Sequence, residues 1–212
     1  MSDKRPSHSR VAPLERLVAD IRACRICIDE PKGRPLPHEP RPVLQVSSEA
    51  RICLAGQAPG TRVHASGRPF TDPSGDRLRE WMGVTPEEFY DPEKIAILPM
   101  GFCFPGLDAK GGDLPPRREC AARWRQPLFA ELPRIELTIL VGQYAQGWHL
   151  GPARKASLTE TVASWREYAP RAIPLPHPSW RNNAWIKKNP WFEDEVLPYL
   201  RREVRRLMGP GK

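Results

Sequence analysis

Four short apolar runs, none long enough to be a helix, set the outer limits of what this chain can become. They are Arg51 to Ala55, Ile95 to Leu98, Leu137 to Val141 and Ala172 to Leu175. Runs of this length read as strands buried on both faces. Helical patterning occupies Asp76 to Met82, Glu119 to Leu132, Gln143 to Leu150, Thr159 to Tyr168 and Pro190 to Leu207. Ser157 and Glu160 have capping-box spacing at the start of the fourth. Strands separated by helices indicate βαβ units, so the expectation is an α/β fold. Its form is a three-layer α/β/α sandwich around a central four-stranded parallel sheet.

Ahead of the first run, Leu14, Leu17, Val18 and Ile21 make one apolar helical face that ends near Cys24. From Asp29 to Pro42 the chain is rich in Pro and Arg, which reads as an extended crossing loop. Residues 1–12 are polar and irregular and read as a disordered tail, leaving 13–212 as a single domain. A length of 212 residues supports one well-cored domain and hardly two.

Charge narrows the partners. Thirty-three Lys and Arg against 25 Asp and Glu leave a net charge of +8, which favours a polyanion such as nucleic acid. Arg outnumbers Lys in the carboxyl-terminal third and the chain has seven Trp, residue types suited to phosphates and base faces. No stretch has the apolar length of a membrane span, and the first residues lack a signal-peptide core, so a cytoplasmic protein is expected. In that compartment five Cys suggest metal, cluster or core roles rather than disulfides.

Two loops carry the chemistry. Gly56-Gln57-Ala58-Pro59-Gly60 follows the first strand directly, and Gly67 to Gly75, containing Phe70 and Asp72, continues it. Gly56 and Gly60 let backbone approach a ligand, and such a loop can aim N–H groups at a carbonyl oxygen. Phe70 offers a ring for stacking; read blandly, the segment is a turn with Phe70 filling core. His177-Pro178-Ser179 follows the last strand, and a His there can donate a hydrogen bond to an oxygen gaining negative charge. In a parallel sheet both loops lie at the carboxyl ends of strands, where the ligand crevice forms.

The run from Gly56 through Gly75, with His177-Pro178-Ser179 in the later position, resembles the two catalytic motifs of the uracil-DNA glycosylase superfamily. The likeness is closest to its iron–sulfur families 4 and 5. It implies a monofunctional DNA glycosylase that flips uracil or another deaminated base out of DNA and hydrolyses its N-glycosidic bond. Carried over residue by residue, Gly56, Gln57, Ala58, Pro59 and Gly60 cradle the base, Phe70 stacks on it, and Ser179 lines the site. His177 contacts the base carbonyl, and Asp72 is the candidate carboxylate that steadies the sugar cation and positions water. Asp72 can instead cap the turn before Pro73, and Asp76 can cap the helix that follows or stand in its first turn. Trp180 would wedge into the gap left by the flipped nucleotide, with Arg181, Asn182, Asn183, Lys187 and Lys188 toward DNA; packing is the plain alternative for Trp180. The Arg201, Arg202, Arg205 and Arg206 set reads either as a phosphate-binding stripe or as a solvated face.

Cys24 and Cys27, followed far along the chain by Cys103 and Cys120, resemble the cluster spacing of family 4 and imply a [4Fe–4S] cluster; zinc is the alternative for four thiolates. Cys53 reads as core. Two departures stand out. Family 4 carries Glu where this chain has Gln57, and Pro99 occupies the offset of an Asn that reads the uracil edge. A pocket lacking that partner discriminates bases less sharply. Two other readings follow: a nucleic-acid-binding module without the chemistry, or a hydrolase of free nucleosides or nucleotides. A monomer is expected.

Overall fold

The computed structural model describes residues 12–209. The expected tail falls almost wholly outside them. Fourteen named elements carry the fold, in this order: α1 (Pro13–Arg22), α2 (Ile26–Asp29), β1 (Ile52–Ala55), α3 (Thr61–Ser66), α4 (Pro73–Met82), α5 (Pro86–Phe89) and β2 (Ile95–Ile97). After these come α6 (Arg118–Ala130), β3 (Leu137–Val141), α7 (Gln143–Leu150), α8 (Leu158–Ala163), β4 (Ala172–Leu175), α9 (Asn183–Lys188) and α10 (Leu197–Met208).

The four apolar runs form one sheet in the order β2-β1-β3-β4, every pairing parallel. Leu54 lies opposite Ile97 on one side and Ile139 on the other, which fixes the register of the inner strands. Alternate residues of β1 face opposite layers. Ile52 and Leu54 pack with Leu78 and Met82 of α4, Val162 of α8, and Leu200 and Val204 of α10. Cys53 points the other way, into a cluster with Ile21 of α1 and Trp124 and Leu128 of α6. Ala55 joins Leu140 and Ala145 of α7. The sandwich is therefore three-layered, as the alternation of patterns predicts.

Three expectations are corrected. The helix expected from Asp76 begins at Pro73, because Asp72 caps it and Pro fits the first turn, where its missing N–H costs nothing. The helix expected over Thr159 to Tyr168 is α8 followed by a tight turn at Trp165–Glu167, although the Ser157–Glu160 capping box is present. The helix expected from Pro190 opens with a wide turn at Phe192–Val196 before α10. Pro198 has no N–H for the usual intrahelical bond there. Helices α2, α3, α5 and α9 are too short to show a period, so patterning passes over them.

Two arginines of α10 tie it to neighbouring α4 and α5, and a third pairs within α10. Arg205 pairs with Glu88 at 2.5 Å, Arg206 with Glu203 at 2.9 Å, and Arg201 donates to the Glu80 carbonyl at 3.2 Å. These pairings favour a solvated face over a phosphate-binding stripe at Arg201, Arg205 and Arg206. No described helix is long and apolar enough to cross a membrane.

Candidate active site

The chain leaves β1 into the Gly56–Gly60 loop and β4 into the His177 loop, so both start from the carboxyl ends of parallel strands. β1 is where the connections reverse, passing first to β2 and then to β3 on its other side. That switch point opens a crevice at the carboxyl ends of the strands. A cavity of about 80 Å³ sits there, lined by Gly56, Gln57, Ala58, Pro59, Gly60, Phe70, Asp72, Pro99, Asp113 and His177, among others. It opens into a cleft of about 690 Å³ bordered by Arg77, Ser179, Trp180, Arg181 and Asn182. The two distant motifs thus meet around one cavity.

In the first loop, the Gly56 and Gln57 carbonyls accept from Met100 at 2.9 Å and Gly101 at 3.0 Å, which anchors the turn. The Gln57 and Ala58 backbone N–H groups have no partner among the described residues. The Gln57 amide donates to the Leu114 carbonyl at 3.3 Å, tying this loop to the one that carries Asp113.

Phe70 adopts φ 54°, a left-handed backbone that costs a residue with a Cβ about 1–2 kcal/mol. Its surroundings enforce it. The Tyr90 hydroxyl lies 3.0 Å from both the Pro69 and Phe70 carbonyls, and Arg79 donates to Phe70 at 3.3 Å. A Cβ placed on Gly56 would stand 3.3 Å from the Phe70 ring, so that glycine lets the ring lie against the loop. The ring meets Phe89 edge-on at 6.0 Å. Phe70 is half-buried, with the cavity beside it.

Asp72 lines the cavity and also caps α4. Its carboxylate accepts from the Ser74 hydroxyl at 2.8 Å and from the Gly75 N–H at 3.3 Å. Asp76 stands in the first turn of α4 rather than at its cap, and it pairs with Arg79 at 2.6 Å. Burial holds the His177 imidazole below its ordinary range, with Asp72 and Asp113 pulling the other way. Its loop is braced by Asn182, which donates to the His177 carbonyl at 2.7 Å.

Ser179 sits at the cleft mouth, where its hydroxyl accepts from Arg181 N–H at 3.3 Å. Trp180 is 72% exposed, too open to be packing. Asn183 accepts from Arg77 at 2.7 Å, while exposed Lys187 and Lys188 lie on α9 outside the residues lining the cleft. Two site residues escaped sequence reasoning. Arg77 clamps the Ser179 carbonyl at 3.3 Å as well as Asn183. Asp113 reaches the cavity from the loop between Cys103 and Cys120 and has no hydrogen bond or ion pair to another described side chain. Behind Pro99, the fully buried Arg125 donates to the Leu98 carbonyl at 2.8 Å and the Pro99 carbonyl at 3.2 Å, fixing that wall.

Cys24, Cys27, Cys103 and Cys120 line one small apolar cavity with Pro40, Pro42 and Trp124. Trp124 donates to Cys24 sulfur and the Phe102 N–H to Cys120 sulfur, each at 3.3 Å. Burial pushes the Cys27 thiol up to about 11 and Cys103 to about 12. Among the described residues no three His, Cys, Asp or Glu side chains are arranged to hold a metal ion. Cys53 is fully buried in the sheet core.

The solution NMR structure of a candidate uracil DNA glycosylase from Methanosarcina acetivorans is similar at 15% identity and a TM-score of 0.45, covering 76% of this chain and 94% of that one. That likeness is loose. The family model of the uracil DNA glycosylase superfamily matches residues 44–201, a span that holds both loops and all four strands. The chain belongs to the uracil DNA glycosylase superfamily.

Proposed function

We propose that this chain is a monofunctional glycosylase that excises uracil or another deaminated base from DNA. The observation that carries the reading is the shared cavity of the Gly56–Gly60 loop, Phe70 and His177. The inner space suits one planar ring, and the wider cleft beside it, bordered by Arg77 and Arg181, suits a sugar–phosphate chain. A base buried in a duplex reaches such a site only by leaving the stack.

In this reading the flipped base stacks on Phe70 and places a carbonyl oxygen against the free N–H groups of Gln57 and Ala58. Breaking the glycosidic bond leaves negative charge on the base and positive charge on the sugar. His177 donates to the base oxygen as that charge grows, a preorganised contact that strengthens toward the transition state. A carboxylate at the cavity and the DNA phosphates steady the sugar. Trp180, exposed at the mouth, fills the gap in the stack, while Arg181 and Asn182 flank it and Ser179 holds the turn. Lys187 and Lys188 meet phosphate farther along the strand. Pro99 presents no side-chain donor or acceptor, so the pocket accepts more than one base.

The four-thiol cavity supports a [4Fe–4S] cluster held by Cys24, Cys27, Cys103 and Cys120. Four cysteine sulfurs around one apolar cavity, with N–H groups directed at two of them, are the observation behind this reading. When bound, it would supply a structural tie between the turn after α1, α2, the loop that carries Cys103, and α6. Zinc is the competing occupant, and metal analysis separates the two. The protein works as a soluble monomer.

The test is incubation with DNA carrying uracil, hypoxanthine or xanthine, followed by alkali. Strand breaks at the altered base support the reading. Tight, salt-sensitive DNA binding without breaks, unchanged in His177→Ala, would instead mark a non-catalytic binding module.

A further inference from the structure

Two carboxylates face the cavity, and they differ in what they already do. Asp72 has both oxygens 2.8 Å from the Ser74 hydroxyl and one engaged with the Gly75 N–H, because it caps α4. Its lone pairs are committed to holding a helix end. Asp113 has no such commitment: among the described residues its carboxylate meets no hydrogen-bond donor and no cation within ion-pair distance, yet it lines both the inner cavity and the outer cleft.

The fold takes trouble to hold Asp113 there. Its loop closes on itself through the Asp108 carboxylate, which accepts from the Lys110 and Gly112 N–H groups at 2.8 and 2.9 Å. The next residue, Leu114, donates to the Gly106 carbonyl at 2.9 Å and accepts from the Gln57 amide at 3.3 Å. A Cβ on Gly60 would stand 3.3 Å from Asp113 Oδ2, so the absence of a side chain at that position gives the carboxylate its room. Asp113 is exposed to the cleft, where solvent reaches it, and it lines the same cavity as His177.

We infer that Asp113 is the catalytic carboxylate that orients and deprotonates the attacking water, and that Asp72 is a positioning residue. This rests on the glycosylase reading above. In the step, the bond from C1′ to the base nitrogen breaks and its electron pair leaves with the base. Water oxygen bonds to C1′, and the water proton passes to Asp113. An ionised carboxylate with open lone pairs can take that proton, while one already accepting two donors is a weaker base. Partial burial raises the Asp113 carboxyl above its ordinary range, which strengthens it as a base while leaving room for ionisation.

The experiment is single-turnover base release from uracil-, hypoxanthine- and xanthine-containing DNA by wild type, Asp113→Asn, Asp113→Ala and Asp72→Asn. Binding to a non-cleavable 2′-fluoro substrate analogue and thermal stability are measured on each. Asp113→Asn is expected to lose about 10²–10⁴-fold in the chemical step, the span of general-base effects. Its affinity for the analogue and its thermal midpoint should match wild type, and formate should restore part of the rate to Asp113→Ala. Asp72→Asn keeps a capping oxygen for α4, so it is expected to hold the thermal midpoint near wild type and to lose far less in rate. An active wild type with Asp113→Asn within threefold of it overturns this assignment alone. No release by wild type from any substrate overturns the glycosylase reading and the assignment with it.

Discussion

Replacing Gly75 by alanine sets two effects of opposite sign against each other. Gly75 lies in the first turn of α4, and a Gly to Ala change in a helix ordinarily adds about 0.4–1 kcal/mol. Here the added Cβ would fall 2.0 Å from the Phe70 carbonyl oxygen, 2.7 Å from its carbonyl carbon and 2.9 Å from its Cβ. These are mostly backbone atoms, and Tyr90 and Arg79 hold that carbonyl in place. Overpacking of this kind costs about 1–3 kcal/mol, so the clash outweighs the propensity gain. A net loss of about 1–2 kcal/mol lowers the thermal midpoint of a chain this size by roughly 2–8 °C. The displaced Phe70 ring would also give up base stacking, worth about 1–3 kcal/mol, so base release should slow by roughly 10–100-fold. Thermal unfolding monitored by circular dichroism, with single-turnover base release on the same samples, reads both. A Gly75→Ala midpoint equal to or above wild type would refute the reasoning.

Three further outcomes are expected. Burial, then Arg125, depresses His149 to about 3, so the unfolded chain binds its proton first: stability is full above about pH 6.5 and is lost on acidification toward pH 3. At about 1.4 kcal/mol per pH unit below 6.5, wild type should lose about 2 kcal/mol more than His149→Gln between pH 7 and 5 in urea titrations, and equal losses would contradict this. Trp180→Ala, at a side chain 72% exposed, should leave stability within about 0.5 kcal/mol and weaken binding to DNA containing a flipped nucleotide; a large stability loss would mean it packs instead. Protein purified without oxygen should be brown and contain iron and acid-labile sulfide in equal amounts, lost together in Cys103→Ser; colourless protein with stoichiometric zinc would contradict the cluster.

The strands were legible because a buried parallel strand must be apolar throughout, and β3 and β4 match their expected bounds residue for residue. The two loops were legible because glycine, proline and histidine at strand ends mark chemistry more sharply than they mark packing. Phe70 illustrates what was hidden: nothing in a sequence announces a left-handed phenylalanine, since Tyr90, Arg79 and Gly75 create that state from other parts of the chain. Asp113 was hidden for a related reason. It lies in an aperiodic Gly/Pro loop, and only the approach of that loop across Gly60 brings it to the cavity. Asp72 and Asp76 could each have capped α4, and the choice turned on a Ser74 hydroxyl and an Arg79 guanidinium that patterning does not weigh. The capping box of Thr85 and Glu88, by contrast, was readable from spacing and simply sits on a helix too short to show a period.

The account stands on one cavity in which a base is held between the Gly56–Gly60 loop and His177. Its most direct measurement is free base released from a uracil-containing oligonucleotide, quantified by chromatography for wild type and His177→Ala. Release by wild type and a drop of about 10²–10³-fold in His177→Ala, the effect of removing one preorganised donor, is the predicted result. Equal release by the two proteins, or none by either, would contradict it.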